Sequence, residues 1–378
     1  MISFKCFKGL PLEYESFLME KYNSYITSCR YVAIYCPTYD INYMLVYENE
    51  NLIDLILYGN NGDTTRCFNA LVEMDQNIIK EFINMIFETY IPIKKVIIDA
   101  SYKNYIIKKS ILNFKSDDHI LQLPTTMEEY YKKLSSSTRQ TIKNRKVRLL
   151  RDYRDVKFVT KYGTEIDEIT IDKIMQLNFN KLKHKGVFHR FDITNKNNLY
   201  KNNLYKNNLY KNNLFKFTQH YGCVAYIKID GVIVAGSINT IINKSLFGHV
   251  TAYDADLYKY NVGEICAFYL IQTCIENGLS KFHFLWGQSD LKKRMQAKPY
   301  VLFSYSIYRS YSLDYLFDNI KVLFSKLLIH LKQSKFSKPF KVAIKYFNSK
   351  DWKEIFVFRT INHISGIKFS GIKDEIKV

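Results

Sequence analysis

The fold is decided by CVAYIKIDGVIVAGSINTIINKSLFGHVTAY, residues 223–253. Two apolar runs in this stretch are separated by Asp230-Gly231, a pair that favours the two-residue turn of a β-hairpin. Asn243-Lys244 marks a second turn before the run that begins at Ser245. The stretch therefore predicts three consecutive antiparallel strands, at 223–229, 232–242 and 245–253.

The following stretch, NVGEICAFYLIQTCIENGLSKFHFLW at 261–286, predicts one helix and one strand. Gly263 opens an apolar helix, and Gly278 ends it as a residue suited to a left-handed cap. Aromatic side chains then alternate through 281–286, as in a half-buried strand. In α/β sheets a ligand lies where the loop after a strand meets a helix N-terminus, here at 260–263. A glycine there lets backbone N–H groups approach an anion closely.

The first 123 residues also alternate strand-like and helical patterns. Helical periodicity covers 76–90, and short apolar runs bounded by turn residues read as strands. The predicted strands are 31–36, 43–47, 52–58, 94–99 and 119–123. This is a compact α/β unit without an evident catalytic motif. Beyond the decisive stretches, 300–309 predicts a further strand and 312–331 an amphipathic helix.

A basic helix follows the first unit. Thr125 and Thr126 each precede a glutamate by three residues, which is the pattern of a capping box. Ser137 then caps a second helix over 138–153, whose cations are Arg139, Lys143, Arg145, Lys146, Arg148, Arg151 and Arg154. The helix could contact a phosphate-bearing substrate or tRNA, lie against anionic lipid, or be a solvated face over an apolar stripe. Arg139 and Arg145 are the preferred phosphate contacts, because guanidinium binds phosphate bidentately.

A short polar repeat interrupts the second half of the chain. Tyr-Lys-Asn-Asn-Leu occurs three times between Tyr200 and Leu214, after a near copy at 195–199. A five-residue period matches neither a helix nor a strand, and no solenoid uses so short a unit. The repeat is therefore predicted to be a tolerated surface insertion at 195–214.

Composition limits the class of protein. The chain has 378 residues, 47% hydrophobic, which favours two domains with a sizeable core. Its net charge of +19 suits phosphates, anionic lipid or an acidic cofactor, although lysine is spread along the whole chain. Seven cysteines form no zinc-like spacing, so we expect reduced thiols and no metal site. No signal peptide and no run of 18 apolar residues is evident, which predicts a soluble, cytoplasmic protein.

Several segments resemble the GNAT acyltransferases of the FemAB/CelD-like branch. They are Leu123-Pro124, Glu128-Glu129-Tyr130, Leu134-Ser135, Arg139, Tyr253-Asp254, Asn261-Val262-Gly263, Gly278-Leu279, 282–287 and Asp290-Leu291-Lys292. That branch often shows Ser-Pro-Gly at the helix opening and Tyr-Lys after the last glycine, where this chain has Asn-Val-Gly and Leu-Lys. The resemblance covers roughly 123–309.

The resemblance implies an α/β (α+β) fold of tandem GNAT-like mixed sheets flanked by helices, with a degenerate N-terminal copy. The resemblance divides the chain into four parts. They are a degenerate domain at 1–123, a basic helical connector at 124–156, the acyltransferase domain at 157–311, which contains the insertion at 195–214, and a C-terminal helix and tail at 312–378. It also implies acyl-CoA, such as acetyl-CoA, as the donor, and direct transfer to an amine. The acceptor would be an amino sugar, an amino acid or an envelope precursor of a bacterium.

The resemblance also implies roles for individual residues. Backbone groups of Asn261, Val262 and Gly263 would hold the donor pyrophosphate, and Tyr253, Asp254 or His249 would transfer the proton. Candidate substrate contacts are Arg139, Arg145, His184, Trp286, Asp290 and Lys292. No metal and no DNA are expected. Two other hypotheses stay open: a FemAB-like transferase that uses aminoacyl-tRNA, and a non-catalytic binding or membrane-associated protein with a decayed transferase fold.

Overall fold

The computed structural model describes residues 2–184, 200–287 and 289–333. The chain divides into two compact units, Met1–Ser310 and Tyr311–Val378. The described part of the second unit is one helix, Leu313–Gln333, named α10 below. Within the described ranges, no helix has the length and apolar character needed to cross a bilayer.

The first unit is built on one mixed sheet of twelve strands. In chain order the strands are β1 Ile2–Lys8, β2 Asp40–Glu48, β3 Asn51–Asn61, β4 Thr64–Cys67, β5 Lys95–Ser101, β6 Ser110–Gln122, β7 Val156–Tyr162, β8 Gly222–Ile229, β9 Val232–Ile242, β10 Ser245–Tyr253, β11 Lys281–His283 and β12 Lys298–Tyr308. The helices of this unit are α1 Glu15–Tyr22, α2 Cys29–Tyr35, α3 Gln76–Thr89, α4 Met127–Lys133, α5 Ser136–Asp152, α6 Glu168–His184, α7 Tyr200–Tyr221, α8 Val262–Glu276 and α9 Asp290–Arg294.

The chain repeats one arrangement twice. Each half has a first strand, two helices, three antiparallel strands, a helix, a strand parallel to the preceding one, and a last strand. The last strands are exchanged: β6 of the first half pairs with β11, and β12 of the second half pairs with β5. Since β6 and β12 also pair with each other, the two halves form one continuous sheet. The predicted fold class, mixed α/β with a tandem GNAT-like sheet, is confirmed.

Helices cover both faces of the C-terminal half of the sheet. Alternation along β8 separates the faces, because successive side chains of a strand point to opposite sides. Ala225 packs in the core cluster that contains Phe268 and Ile271 of α8, whereas Val224 packs with Ile171 and Ile174 of α6. Thus α8 lies on one face with α4 and α5, and α6 and α7 lie on the other.

Three local predictions are corrected by the structure. Residues 31–36, predicted as a strand, lie mostly in helix α2, because Ser28 accepts a hydrogen bond from the Tyr31 N–H and caps the first turn. The basic helix is capped by Ser135 rather than Ser137. The strand predicted over 281–286 ends at His283, since Leu285 has a positive φ of 53° that breaks the extended backbone.

The last copy of the repeat is buried at its leucine. From Tyr200 the repeat lies in α7, and Leu214 is 1% exposed, as is Phe217 one turn further on. Five residues advance a helix by about 500°, so the repeat rotates around the helix and shows no fixed apolar face in the sequence. That the repeat is a tolerated insertion stays a prediction. The near copy at 195–199 lies outside the described residues.

Candidate active site

A gap opens in the sheet where β10 and β11 separate. Their parallel pairing covers three positions and ends at Phe247 opposite His283, while β10 continues to Tyr253. A bulge between Gly248 and Val250 lies just beyond the last pair. Bulges bend a strand and redirect one side chain, here His249. The gap is therefore at the carboxyl ends of two parallel strands, where α/β sheets place their ligands.

The loop that follows β11 is held by a buried lysine. Lys292 of α9 is 9% exposed, and its Nζ donates to the carbonyl oxygens of Leu285, Trp286 and Gly287 at 2.9, 2.7 and 2.7 Å. Burial lowers the pKa of Lys292 to about 8, and the nearby Asp118 carboxylate partly opposes that shift. Three hydrogen bonds from one ammonium fix the path of the loop at the edge of the gap. Lys292 thus positions this edge, while Asp290 is the exposed first residue of α9.

A cavity of about 440 Å³ adjoins the gap on the α2 and α7 side. Gly248, His249 and Trp286 line it from the C-terminal half, and Arg66, Phe68 and Asp99 are among its residues from the N-terminal half. Trp286, a candidate substrate contact, is 40% exposed and lies in this wall. Arg66 and Asp99 were missed by sequence reasoning, because they come from a half without a motif.

His249 is the titratable group of the C-terminal wall. Its Nε2 lies 2.6 Å from Thr240 Oγ1, and its ring packs edge-on against Tyr25 at 4.7 Å. Burial lowers the pKa of His249 to about 4, so the imidazole is neutral at pH 7. A neutral imidazole carries one unprotonated nitrogen, which can accept a proton.

A buried polar network lies in the centre of the sheet, near the gap. Asp118 Oδ2 accepts from the Tyr102 hydroxyl at 2.7 Å and lies 2.7 Å from His283 Nδ1. The His283 ring stacks on Phe247 at 4.3 Å. Among the described residues, His283 Nε2 and Asp118 Oδ1 have no hydrogen-bond partner. The network joins side chains from three strands far apart in sequence, which is why no local pattern indicates it.

The N-terminus of α8 contains a buried carboxylate. Glu264 is 2% exposed and accepts from the guanidinium of Arg145, from Arg294 Nε at 2.8 Å and from Asn261 Nδ2 at 2.5 Å. Asn261 is the N-cap residue and has a positive φ of 50°, but its side chain does not cap the helix. A Cβ on Gly263 would lie 2.6 Å from Tyr253 Cδ1, so this glycine makes room for the Tyr253 ring.

These groups fit an anionic donor only in part. Two partly exposed guanidiniums, the uncapped first turn and the helix dipole favour a phosphate. The Glu264 carboxylate opposes it and neutralises one of the two cations. The backbone of Val262 and Gly263 would hold the group, and Val262 itself is buried.

Two other predicted residues lie at a second cavity. Asp254 accepts a hydrogen bond from the Asp256 N–H at 3.0 Å and so caps a short 3₁₀ turn. Asp254 and His184, the last residue of α6, both line a cavity of about 600 Å³. Tyr253 lies under the Lys181 ammonium, 5.7 Å from its ring centroid. The structure therefore separates His249, at the gap, from Asp254 beyond the end of the strand.

The cations of the basic helix α5 fall into two groups, those held by internal contacts and those exposed to solvent. Arg139 Nη1 donates to the carbonyls of Tyr131 and Leu134 at 3.0 and 3.1 Å, which completes the C-terminus of α4. Arg145 is occupied by Glu264. The exposed cations are Lys143, Lys146, Arg148 and Arg151 of α5, and Arg154 just after the helix ends at Asp152. Val147 and Leu150 lie among them, 58% and 47% exposed.

Comparison with known proteins finds a family match for part of the chain. Residues 136–293 match the family model described as an acetyltransferase (GNAT) domain. The resemblance to GNAT acyltransferases is thereby confirmed for these residues. No curated protein matches the chain.

Solved structures with the same fold cover most of the chain. FemX is 9% identical and covers 80% of this chain and 97% of its own, with a TM-score of 0.57. L-PGS from Bacillus licheniformis is 14% identical, covers 82% and 95%, and has a TM-score of 0.50. A conserved protein of unknown function from Bacteroides thetaiotaomicron is 14% identical, covers 82% and 100%, and has a TM-score of 0.51. At these identities the likeness shows the fold alone.

Proposed function

We propose that the chain is an N-acyltransferase that uses an acyl-CoA donor and a primary amine acceptor, because residues 136–293 match the family model of an acetyltransferase (GNAT) domain. The observation that carries the proposal is the separation of β10 and β11 beyond Phe247 and His283, next to a cavity of about 440 Å³. The acceptor would be an amino sugar, an amino acid or an envelope precursor.

The two substrates would enter from opposite faces of the sheet. The donor lies on the α8 side, with its phosphates at the first turn of that helix and near Arg145 and Arg294. The amine enters through the cavity on the α2 and α7 side. The amine nitrogen attacks the thioester carbonyl, the C–N bond forms, the C–S bond breaks, and the thiolate leaves and takes up a proton. Holding both reactants at one gap converts a bimolecular step into an effectively unimolecular one.

We assign the proton acceptor to His249. It lines the cavity next to the gap. Burial lowers its pKa to about 4, so it is neutral at pH 7 but a weak base, and it accepts the proton only after the nitrogen has bonded to the thioester carbonyl and become more acidic. A positioned general base of this kind contributes about 10²–10⁴-fold to the rate. Replacement of His249 by Gln should lower kcat by that order and leave acyl-CoA affinity unchanged. Equal activity of the variant would move the role to Tyr253 or Asp254, the other candidates.

The donor assignment is tested by calorimetry and thermal shift with a panel of CoA esters. Gly248 supplies the variants: an added Cβ would lie 3.5 Å from Phe282 Cε2 and from Asn239 Oδ1, an ordinary contact distance. Gly248→Ala should therefore fold and bind, whereas Gly248→Leu should fill the α8 side of the gap and abolish binding. Absence of binding by every ester to the wild-type chain would exclude acyl-CoA and favour a non-catalytic role for the fold.

A second candidate is a transferase that uses aminoacyl-tRNA. It is favoured by the exposed cations of α5 and by the fold shared with FemX. The structure directs the test to Lys143, Arg148 and Arg154, since Arg139 and Arg145 are held by internal contacts. Their triple replacement by Gln should weaken tRNA binding and flatten its dependence on salt concentration. Binding that is absent or independent of salt would reject this candidate.

A further inference from the structure

We propose that the 440 Å³ cavity is the acceptor site, and that the acceptor is a small amine that also carries a carboxylate or a phosphate, bound by Arg66 of the N-terminal half. The role of this ligand as acyl acceptor rests on the proposed function. Its binding, as an amine that also carries a carboxylate or a phosphate, does not. The N-terminal half, which shows no catalytic motif of its own, then supplies the substrate wall of the site.

Asp99 fixes the position of the Arg66 guanidinium but leaves one of its hydrogen-bond donors unused. It lies on β4, and its Nη1 donates to Asp99 Oδ2 at 2.9 Å. Its Nε is buried and has no hydrogen-bond partner among the described residues. A buried donor without a partner is costly and rare in folded proteins. The guanidinium edge that includes Nε is one of the two edges that bind a carboxylate or phosphate bidentately.

The rest of the lining suits a small organic body. Tyr31 and Tyr35 stack with ring centroids 4.6 Å apart, and Phe217 and Trp286 add further aromatic surface. The volume of about 440 Å³ falls within the range of roughly 300–1,000 Å³ that is typical of small-molecule sites. Aromatic walls with a few placed polar groups orient a ligand by its charged end.

The charged and titratable side chains that line the cavity come from both halves of the chain. Arg66 and Asp99 come from the N-terminal half, and His249 lies at the gap in the C-terminal half. A ligand anchored by its anion at Arg66 directs its other end, the amine, towards His249. That imidazole is neutral at pH 7, because burial lowers its pKa to about 4, so it does not repel the amine. Both halves of the sheet are then needed for one site.

The test measures binding by calorimetry without any donor, with two matched pairs of probes. L-phenylalanine is compared with L-phenylalaninamide, and glucosamine 6-phosphate with glucosamine. In at least one pair, the member that carries the carboxylate or phosphate should bind about tenfold or more tightly than the member that lacks it. Preference within the first pair assigns a carboxylate, and preference within the second assigns a phosphate. No preference in either pair overturns the proposal.

Variants assign the preference to Arg66. The double variant Arg66→Met with Asp99→Asn removes both charges together, so that no unpaired carboxylate remains, and it should lose the tenfold preference. Arg66→Lys keeps the charge but not the fork, and should lose most of it. Arg151→Met, which replaces an exposed cation of α5, should keep it. A preference that survives in the Arg66→Lys and double variants, with cooperative unfolding retained, places the anion elsewhere and refutes the proposal.

The experiments distinguish a failure of the acyltransferase proposal from a failure of the cavity assignment. If anionic amines bind through Arg66 but no CoA ester binds, the acyltransferase proposal is wrong and the site stands. If CoA esters bind but the probe pairs show no preference, the cavity assignment is wrong and the donor assignment stands.

Discussion

Replacement of Lys292 by Met tests how the edge of the gap is held. The ammonium donates to three carbonyl oxygens, of which that of Leu285 belongs to a residue 4% exposed. The Leu285 carbonyl also accepts from the His119 N–H at 3.4 Å, so it keeps one donor when the lysine is removed. A hydrogen bond from a charged donor contributes about 1.5–3 kcal/mol. Trp286 and Gly287 are exposed, so water can replace the lysine there. Relief from burying an ammonium offsets part of the loss. We expect a fall of about 2 kcal/mol in the free energy of unfolding at pH 7.

The pH dependence gives a second signature. Burial lowers the native pKa of Lys292 to about 8, whereas an unfolded lysine titrates near 10.4. Between these values the unfolded chain binds more protons, so the stability contributed by this group rises with pH, by at most about 1.4 kcal/mol per pH unit. The stability gap between wild type and Lys292→Met should therefore widen above pH 8.

The assay is urea unfolding followed by circular dichroism from pH 7 to pH 10. The control is Lys293→Met, which removes the adjacent, exposed lysine and should change stability by less than about 0.5 kcal/mol. A stability gap that stays constant or shrinks above pH 8 would refute the burial of the charged group. Equal effects of the two variants would refute the role of the three hydrogen bonds.

Three further predictions concern the same half of the chain and the thiols. Glu264→Gln should cost about 1–3 kcal/mol in urea unfolding, because it removes the charge that pairs with Arg145 and Arg294, whose side chains are 34% and 42% exposed and stay partly hydrated; the exposed Glu276→Gln is its control, and similar losses would contradict the prediction. Gly263→Ala should cost about 1–3 kcal/mol through contact with the Tyr253 ring, and a Tyr253→Ala background should suppress that cost, so additive effects would contradict the contact. In thiol labelling at pH 8, the exposed Cys6 should react first, while Cys223 and Cys266, whose pKa values burial raises to about 12, should react only on unfolding; a fast phase that persists in Cys6→Ser would contradict it.

The order of elements in the C-terminal half could be predicted because its signals are local. Asp230 and Gly231 both have positive φ, the geometry that their hairpin turn requires, and Gly278 has the positive φ of a helix cap. Such residues favour one backbone conformation whatever surrounds them. Where the local signal was weak, tertiary packing decided the outcome, as in α2, whose β-prone residues form a helix.

The site depended on contacts that no spacing reveals. His249 could be proposed from its position at a strand end, but its pairing with Thr240 needs the paired strands, and its place in one cavity with Arg66 follows from the meeting of the two halves. The Asp118–His283 pair joins residues 165 apart in the chain. Arg145 was proposed for phosphate, whereas the structure gives it to Glu264, which no periodicity marks as a partner.

The sequence by itself determined the strand–strand–strand–helix–strand unit that ends at the gap, because turns and caps are chosen by the φ values that single residues allow. Only the tertiary structure decided that β6 and β12 exchange places, that the two halves share one sheet, and that Arg66 and His249 line one cavity. Strand exchange and cavity walls arise from burial and long-range pairing, whose free energy depends on which distant surfaces meet.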